Sequence, residues 1–170
     1  AKIAEALRGR VKTIVLDPPP LVLRPHGAVP KGLVDLSIPD FVMPSEQELF
    51  EYFGDGIPPE DGARRLQSLG ARNVVVKLGE RGSMVFNEAR RAWRVVPIYR
   101  TRVVDPTGAG DAFGGGFLVG LVETGDPLQA ALYGTISASF VIEGEGGTAA
   151  RERARPQAEA RLKELRAQIA

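Results

Sequence analysis

The segment from Val103 to Phe113 constrains the fold of this chain more than any other part of its sequence. It reads Val-Val-Asp-Pro-Thr-Gly-Ala-Gly-Asp-Ala-Phe, so a β-branched pair is followed by a turn and then by a run typical of a helix. Gly108 and Gly110 lack a Cβ, which lets the backbone approach a ligand closely. A helix that begins at such a loop presents unpaired N–H groups and the positive end of its dipole. The segment therefore predicts an anion site, for which phosphate is the natural ligand.

Asp111 follows the second glycine directly, and a carboxylate is unexpected in a loop that only holds an anion. A carboxylate can take the proton from a hydroxyl that attacks a phosphorus atom held by the same loop. The position of Asp111 therefore predicts a general base for phosphoryl transfer.

Composition sets the class of protein. The 170 residues are 44% hydrophobic and 25% charged, which is typical of a soluble globular chain, and we expect residues 1–170 to form one domain. A net charge of +1 gives no field to attract nucleic acid or an anionic membrane, so neither is an expected partner. The chain has no cysteine, which suits the cytoplasm. It begins at Ala1 rather than Met, and Ala1 to Leu7 resembles a helix entered partway, so we expect a fragment.

Strand and helix patterns alternate along the chain. Strands are predicted at 11–16, 40–43, 73–78, 83–86, 92–97 and 99–104, and helices at 46–53, 58–69, 109–123, 128–142 and from 156 onward. This order predicts an α/β fold with a mostly parallel sheet, helices on its faces and an antiparallel edge section. The glycines at 114, 115, 116 and 120 are expected to let their helix pack closely on the sheet.

Residues Asp105 to Phe113 resemble the C-terminal signature of the ribokinase-like, or PfkB, family of carbohydrate and nucleoside kinases. Three further segments stand in the family's order: Asp17-Pro18, Pro44-Ser45-Glu46-Gln47-Glu48 and Lys77-Leu78-Gly79-Glu80-Arg81-Gly82-Ser83. The resemblance covers nearly the whole chain but only half of the family's fold. The N-terminal half, with its sugar-contacting strands and β lid, is not visible here, and a homodimer formed through that lid is the expected assembly.

The resemblance assigns catalytic roles to the glycine loop. Asp111 would be the base toward the substrate hydroxyl. The N–H groups of Gly108, Ala109 and Gly110 would form the anion hole for the transferring phosphoryl group.

The resemblance also implies a nucleotide and magnesium site. Glu48 matches the glutamate of the family's Asn-x-x-Glu motif, which acts on Mg²⁺ through water, although Ser45 stands where the Asn belongs. Lys77 and Gly79 fall where the family contacts the nucleotide phosphates. Pro19 departs from the pattern, because the family usually has an asparagine there.

A monovalent-cation site is implied as well. Asp105 and Thr107 match positions near that site, Thr107 is also placed among the nucleotide-binding residues, and further cation ligands are expected from the Glu143 to Thr148 loop. The ion would be K⁺ or a similar cation.

The activity implied is transfer of the ATP γ-phosphoryl group to a hydroxyl of a sugar or nucleoside, assisted by Mg²⁺; the sequence does not specify which substrate. Ser45 and Pro19 keep open a non-catalytic ribokinase-like protein that only binds nucleotide. A Rossmann dinucleotide-binding protein is the other alternative. Its fingerprint fits poorly, because the glycines at 108, 110 and 114 have the wrong spacing and no strand ending in an acid follows.

Overall fold

The computed structural model of the chain describes residues 6–7, 9–18, 35–87, 92–148 and 155–169. Its elements in chain order are β1 (Val15–Leu16), β2 (Phe41–Val42), α1 (Glu46–Phe53), α2 (Pro59–Ser68), β3 (Asn73–Lys77), β4 (Ser83–Asn87), β5 (Ala92–Val96), α3 (Ala109–Thr124), α4 (Pro127–Val141) and α5 (Arg155–Ile169). Two compact units are present, Ala1–Gly79 with Met84–Trp93 and Glu80–Ser83 with Arg94–Ala170. The assignment of the whole chain to one domain stays a prediction, and Pro19 lies outside the described residues.

The five strands form one sheet in the order β1-β2-β3-β4-β5. β1 and β3 each pair with β2 in parallel, with Val15 opposite Phe41 and Val42 opposite Val74. The connections on either side of β4, residues 78–82 and 88–91, are shorter than the roughly dozen residues that a parallel crossover needs. The mixed sheet with an antiparallel edge section is therefore as predicted, although β1 and β2 are shorter than the sequence patterns suggest.

The first unit is built around β3 and the two helices α1 and α2. Val74, Val75 and Val76 are fully buried, as expected for a strand covered on both faces. The core cluster consists of Leu36, Val42, Leu49, Tyr52, Ala63, Leu66, Ala71, Val74, Val76 and Met84. Among the described residues, no helix combines the length and the apolar character needed to cross a membrane.

The strand predicted at 99–104 is wrong, because this segment has no strand pairing. Its backbone bonds to a helix end instead: the N–H groups of Val104 and Asp105 donate to the Ile142 carbonyl at 2.7 and 3.3 Å. The Tyr99 hydroxyl donates to Glu164 on α5 at 2.8 Å. The β-branched residues of this segment are typical of a strand, but its hydrogen-bond partners lie on α5 and at the end of α4.

The close packing of the glycine-rich helix also differs from the expectation. A Cβ on Gly116 would lie 2.6 Å from the Tyr133 carbonyl oxygen, and one on Gly120 would lie 2.8 Å from the Ala130 Cα, so both glycines admit α4 rather than the sheet. Gly134 on α4 is also required by the close approach, because a Cβ there would lie 2.8 Å from the carbonyl oxygen of Phe113 on α3. Gly114 and Gly115 face open space. Two helices that approach so closely form a rigid pair.

Gly116→Ala should destabilise the second unit by about 1–3 kcal/mol, the usual cost of overpacking. The matched control is Gly115→Ala in the same helix, where the added Cβ meets nothing within 4 Å. That control should be neutral or stabilising by up to ~1 kcal/mol. Urea unfolding measures both values, and equal midpoints for the two variants would contradict the packing described here.

Candidate phosphate and nucleotide site

In the first unit, the polar residues Asp17, Ser45 and Lys77 meet at the carboxyl ends of the parallel strands. Asp17 follows β1 directly, and Lys77 ends β3. Ser45 pairs with Lys77 through an isolated parallel bridge, and the Lys77 N–H donates to the Pro44 carbonyl at 2.8 Å. In open α/β sheets, ligands bind outside the carboxyl ends of the strands. The structure thus brings Ser45 and Lys77 together at the edge where a ligand is expected.

The Lys77 ammonium group forms an ion pair with Asp17. Its Nζ lies 2.7 Å from Oδ1 and 2.6 Å from Oδ2, and the two side chains are 16% and 38% exposed. An ammonium group has three donors, so Lys77 can hold Asp17 and still donate to an anion. A phosphate at Lys77 would therefore share this cation with Asp17 or displace the carboxylate.

Ser45 and Glu48 form a capping box at the start of α1. The Ser45 Oγ accepts the Glu48 N–H at 3.2 Å, and the Glu48 Oε2 accepts the Ser45 N–H at 2.6 Å. Serine and asparagine are both favoured as N-caps, which explains how serine serves at a position where the family has asparagine. The Oε1 atom of Glu48 takes no part in the box and can face a ligand or a metal-bound water.

Tyr52 is a residue of this region that the sequence analysis missed. Its buried hydroxyl donates to the Pro18 carbonyl at 3.1 Å and so holds Pro18 in place just beyond β1. Burial raises the pKa of Tyr52, and the negative charges of Glu48, Glu51 and Asp17 raise it further. The hydroxyl therefore remains a donor at all physiological pH values. Its spacing of four residues from Glu48 on one helix was the available signal.

Gly79 begins a single 3₁₀ turn, Gly79–Arg81, directly beyond β3. Its φ is +59°, and an added Cβ would meet nothing within 4 Å. The backbone at Gly79 is thus open to a ligand, as a phosphate-contacting glycine requires, and its nucleotide role stays a prediction.

In the second unit, Gly108 is the N-cap of α3 and adopts the left-handed conformation, with φ +80°. A Cβ at Gly108 would also lie 2.6 Å from the Gly147 Cα, so both the dihedral angle and the contact require glycine. Within the described ranges, no side chain forms a capping hydrogen bond at the start of this helix.

The amides at the start of α3 are the donors predicted for an anion. The Ala109 N–H donates to the Pro106 carbonyl at 3.1 Å, so one predicted donor is engaged within the turn. Among the described residues, the N–H groups of Gly108, Gly110 and Asp111 have no hydrogen-bond partner. The Asp111 amide was not predicted, although every helix leaves its first N–H groups unpaired.

The Asp111 side chain lies in the first turn of α3 and is exposed. Within the described part of the chain, its carboxylate has neither a hydrogen-bond donor nor an ion-pair partner. The positive end of the helix dipole favours a negative charge at this position. A free carboxylate beside unpaired amides is the arrangement that proton abstraction next to a bound anion requires.

Asp105 joins the turn before α3 to the loop after α4. Its Oδ1 accepts the Thr107 N–H and its Oδ2 accepts the Gly146 N–H, each at 2.9 Å. Hydrogen bonds from the Thr107 side chain, from its amide and from the Gly146 amide lower the pKa of Asp105. The loop predicted to supply cation ligands therefore does lie beside Asp105. Among the described residues, no cluster of three or more acidic or histidine side chains could hold a metal ion by itself.

Asp105→Asn should lower the stability of the second unit at neutral pH. Because the folded-state pKa lies below its ordinary value of 3.8, the stabilisation is complete above that pH and is lost as the pH falls through the lower folded value. The difference between wild type and variant should therefore shrink below about pH 3.8. Denaturant unfolding across that range measures it, with the exposed Asp55→Asn as the control. A difference that is independent of pH would contradict this role.

Comparison with known proteins places this arrangement in a known fold class, the ribokinase-like α/β kinases. Arabidopsis thaliana ribokinase, solved with ribose and ATP, superposes with a TM-score of 0.77 at 25% identity over 95% of this chain and 51% of that one. A double mutant of Vibrio cholerae fructokinase, solved with fructose, ADP and potassium, gives 0.65 at 27% identity over 75% and 42%.

The sequence comparison identifies the family. Residues 8–154 match the pfkB family of carbohydrate kinases, and the chain belongs to that family. The cytidine kinase of Thermococcus kodakarensis is 41% identical over 90 residues, which are 53% of this chain and 32% of that protein. The chain thus spans between about a third and a half of the length of these relatives. Membership excludes the Rossmann alternative.

Proposed function

We propose that this chain supplies the nucleotide-binding and phosphoryl-transfer part of an ATP-dependent kinase whose acceptor is a hydroxyl of a sugar or nucleoside. The start of α3 carries the proposal, because three amides without a partner among the described residues lie there beside the Asp111 carboxylate. The amides suit the oxygens of a transferring phosphoryl group, and the carboxylate suits the hydroxyl that attacks it.

In the proposed reaction, Asp111 accepts the proton of the substrate hydroxyl. The hydroxyl oxygen forms a bond to the γ-phosphorus while the bond from that phosphorus to the β,γ-bridging oxygen breaks, and ADP leaves. Negative charge on the γ-phosphoryl oxygens is met by the N–H groups of Gly108 and Gly110. Ala109 would join them only by releasing the Pro106 carbonyl, to which its N–H donates at 3.1 Å.

The first unit carries residues that are proposed to bind a nucleotide and Mg²⁺. Lys77 would donate to phosphate oxygens beside Asp17, and the open backbone at Gly79 would admit them. Glu48 would hold a Mg²⁺-bound water through Oε1, the atom outside the capping box with Ser45. Carboxylate oxygen is a ligand type that Mg²⁺ favours, so this donor fits the ion. When bound, Mg²⁺ neutralises charge on the nucleotide phosphates.

A monovalent cation such as K⁺ is proposed beside Asp105 and Thr107. The Asp105 carboxylate accepts the Thr107 hydroxyl and the Thr107 and Gly146 amides, which leaves one of its roughly four lone-pair sites for a cation. The Vibrio cholerae fructokinase structure that resembles this chain was solved with potassium bound. The cation would reinforce the same junction that the two amide hydrogen bonds hold.

The acceptor class follows from the relatives. The three proteins compared above are a ribokinase, a fructokinase and a cytidine kinase, which name two sugars and a nucleoside as acceptors. A substrate of this class is therefore proposed here, without a choice among its members.

A non-catalytic nucleotide-binding protein is the second candidate. It is favoured by the mutual satisfaction of Ser45 and Glu48 in the capping box and of Lys77 and Asp17 in their ion pair. Both pairs leave fewer free groups for phosphate and Mg²⁺ than an open site would have.

A transfer assay on the whole protein separates the two candidates. ATP labelled at the γ-phosphate, with Mg²⁺, is incubated with a panel of pentoses, hexoses and nucleosides, and ATP binding is measured by calorimetry in parallel. Labelled sugar phosphate or nucleotide supports the kinase. ATP binding without transfer to any acceptor supports the non-catalytic candidate.

Asp111→Asn should lower kcat by about 10²- to 10⁴-fold, the usual contribution of general-base catalysis. Affinity for ATP should change little, since the amides at the helix start remain. The matched control is Asp61→Asn, which removes an exposed acid from the first turn of α2 and should leave kcat unchanged. A variant that keeps more than about half of the wild-type kcat would show that Asp111 is not the base.

Gly110→Ala should remove most activity while leaving the fold intact. Gly110 lies within α3, where alanine is favoured over glycine by roughly 0.5–1 kcal/mol, so stability should not fall. The added methyl group would occupy space where phosphate approaches the amides. Gly114→Ala, whose Cβ meets nothing within 4 Å, is the control in the same helix. If Gly110→Ala unfolds while its folded fraction is fully active, the glycine serves packing only.

A further inference from the structure

Arg161 on α5 is enclosed by partners that the proposed reaction does not use. One guanidinium nitrogen donates to the Ser139 Oγ at 2.8 Å and another to the Glu143 Oε1 at 2.6 Å. The guanidinium group also lies over the rings of Phe140 and Tyr99, at 3.9 and 4.8 Å from their centroids. The Arg161 and Glu143 side chains are only 17% and 13% exposed. These contacts hold the Arg161 guanidinium group in one position, unlike that of an arginine on a solvated surface.

Glu143 needs this cation because of its place just beyond the end of α4. A carboxylate near the C-terminus of a helix opposes the helix dipole, and a largely buried acid without a partner is costly. Arg161 compensates both effects, and the Thr101 hydroxyl adds a hydrogen bond to the same carboxylate oxygen. The ion pair with Arg161 and the hydrogen bond from Thr101 together hold Glu143 in place.

Glu143 begins the loop that reaches the start of α3. The residue before it, Ile142, accepts the Asp105 N–H through its carbonyl, and Gly146 donates to the Asp105 carboxylate. Gly147 then packs against Gly108, where a Cβ would lie 2.6 Å from the Gly147 Cα. Displacement of Glu143 would therefore move the N-cap of α3 and the amides that follow it.

We propose that Arg161 is a positioning residue for phosphoryl transfer. Through its ion pair with Glu143 it sets the loop at residues 143–147, and through that loop it sets the amides at the start of α3. The catalytic consequence rests on the kinase function proposed above. The structural step, from Arg161 to the loop, can be measured without any activity.

The test compares Arg161→Gln with Arg161→Lys and two controls. Arg155→Gln removes an arginine from the same helix whose ion pair with Glu159 is exposed, at 80% and 64%. Leu165→Ala removes a fully buried side chain of α5 and provides a loss of stability without touching the ion pair. For each variant of the whole protein, kcat and KM are measured together with hydrogen exchange at the amides of Gly108, Gly110, Asp111 and Gly146.

Arg161→Gln should lower kcat by about 10- to 100-fold, as expected when catalytic donors are misplaced by a fraction of an ångström to an ångström, with KM for the acceptor unchanged. The Gly146 amide should exchange faster. Arg161→Lys should recover part of kcat, because lysine keeps the charge but lacks the planar fork that reaches both Ser139 and Glu143. Arg155→Gln should match wild type, and Leu165→Ala should lose stability with little change in kcat.

Unchanged exchange at Gly146 and unchanged kcat in folded Arg161→Gln would overturn the proposal, as would an equal fall in kcat for Leu165→Ala. A wild-type protein without transferase activity, whose Gly146 exchange still responds to Arg161→Gln, would refute the kinase function and support the positioning step. Should Arg161→Gln fail to fold, Glu143→Gln removes the charge that requires Arg161. That variant should then show the same loss of kcat and faster Gly146 exchange. If it shows neither change, the proposal is overturned.

Discussion

The hydrogen bonds from Thr107 and Gly146 to the two oxygens of Asp105 hold the start of α3 in place within the second unit. They tie the turn before α3 to the loop after α4, and both segments must stay in place for Gly108 to pack against Gly147. Hydrogen bonds to an ionised acceptor are roughly twice as strong as neutral ones, so a single carboxylate can fix the junction. The position of the amides at the start of α3 depends on this junction.

A rigid support lies behind that junction. α3 and α4 approach each other so closely that Gly116, Gly120 and Gly134 leave no space for a methyl group. Helices held at such short distance cannot shift without clashes, because packed interiors deform in discrete steps. The amides and Asp111 are thus presented by a stiff element, and electrostatic stabilisation of a transition state requires preorganised donors of this kind.

The sequence predicted the features that depend on local chemistry. The glycine loop at the start of α3 and the polar residues at the carboxyl ends of β1 and β3 follow from turn and strand preferences. The structure places each of them as expected. Their roles toward a nucleotide remain proposals, because the functions of side chains depend on ligands that local patterns do not reveal.

The failures of prediction share a cause, which is that partners distant in sequence decided the outcome. Residues 99–104 have the pattern of a strand, yet the Val104 amide donates to the Ile142 carbonyl at the end of α4. Gly116 and Gly120 mark a close approach, but only the tertiary structure identifies α4 as the neighbour. The sequence around Arg161 is that of an ordinary helix, and only the structure shows its hydrogen bond to Glu143. Competing tertiary contacts override local propensity in each case.

The proposed kinase function requires that the amides at the start of α3 bind the phosphates of ATP. The most direct measurement is a titration of the ¹⁵N-labelled protein with MgATP, followed by the amide resonances of Gly108, Gly110 and Asp111. We expect saturable shifts of these three resonances, and the same shifts in Asp111→Asn because that variant retains the backbone donors. Saturable ATP binding that shifts resonances elsewhere but leaves these three unmoved would contradict it.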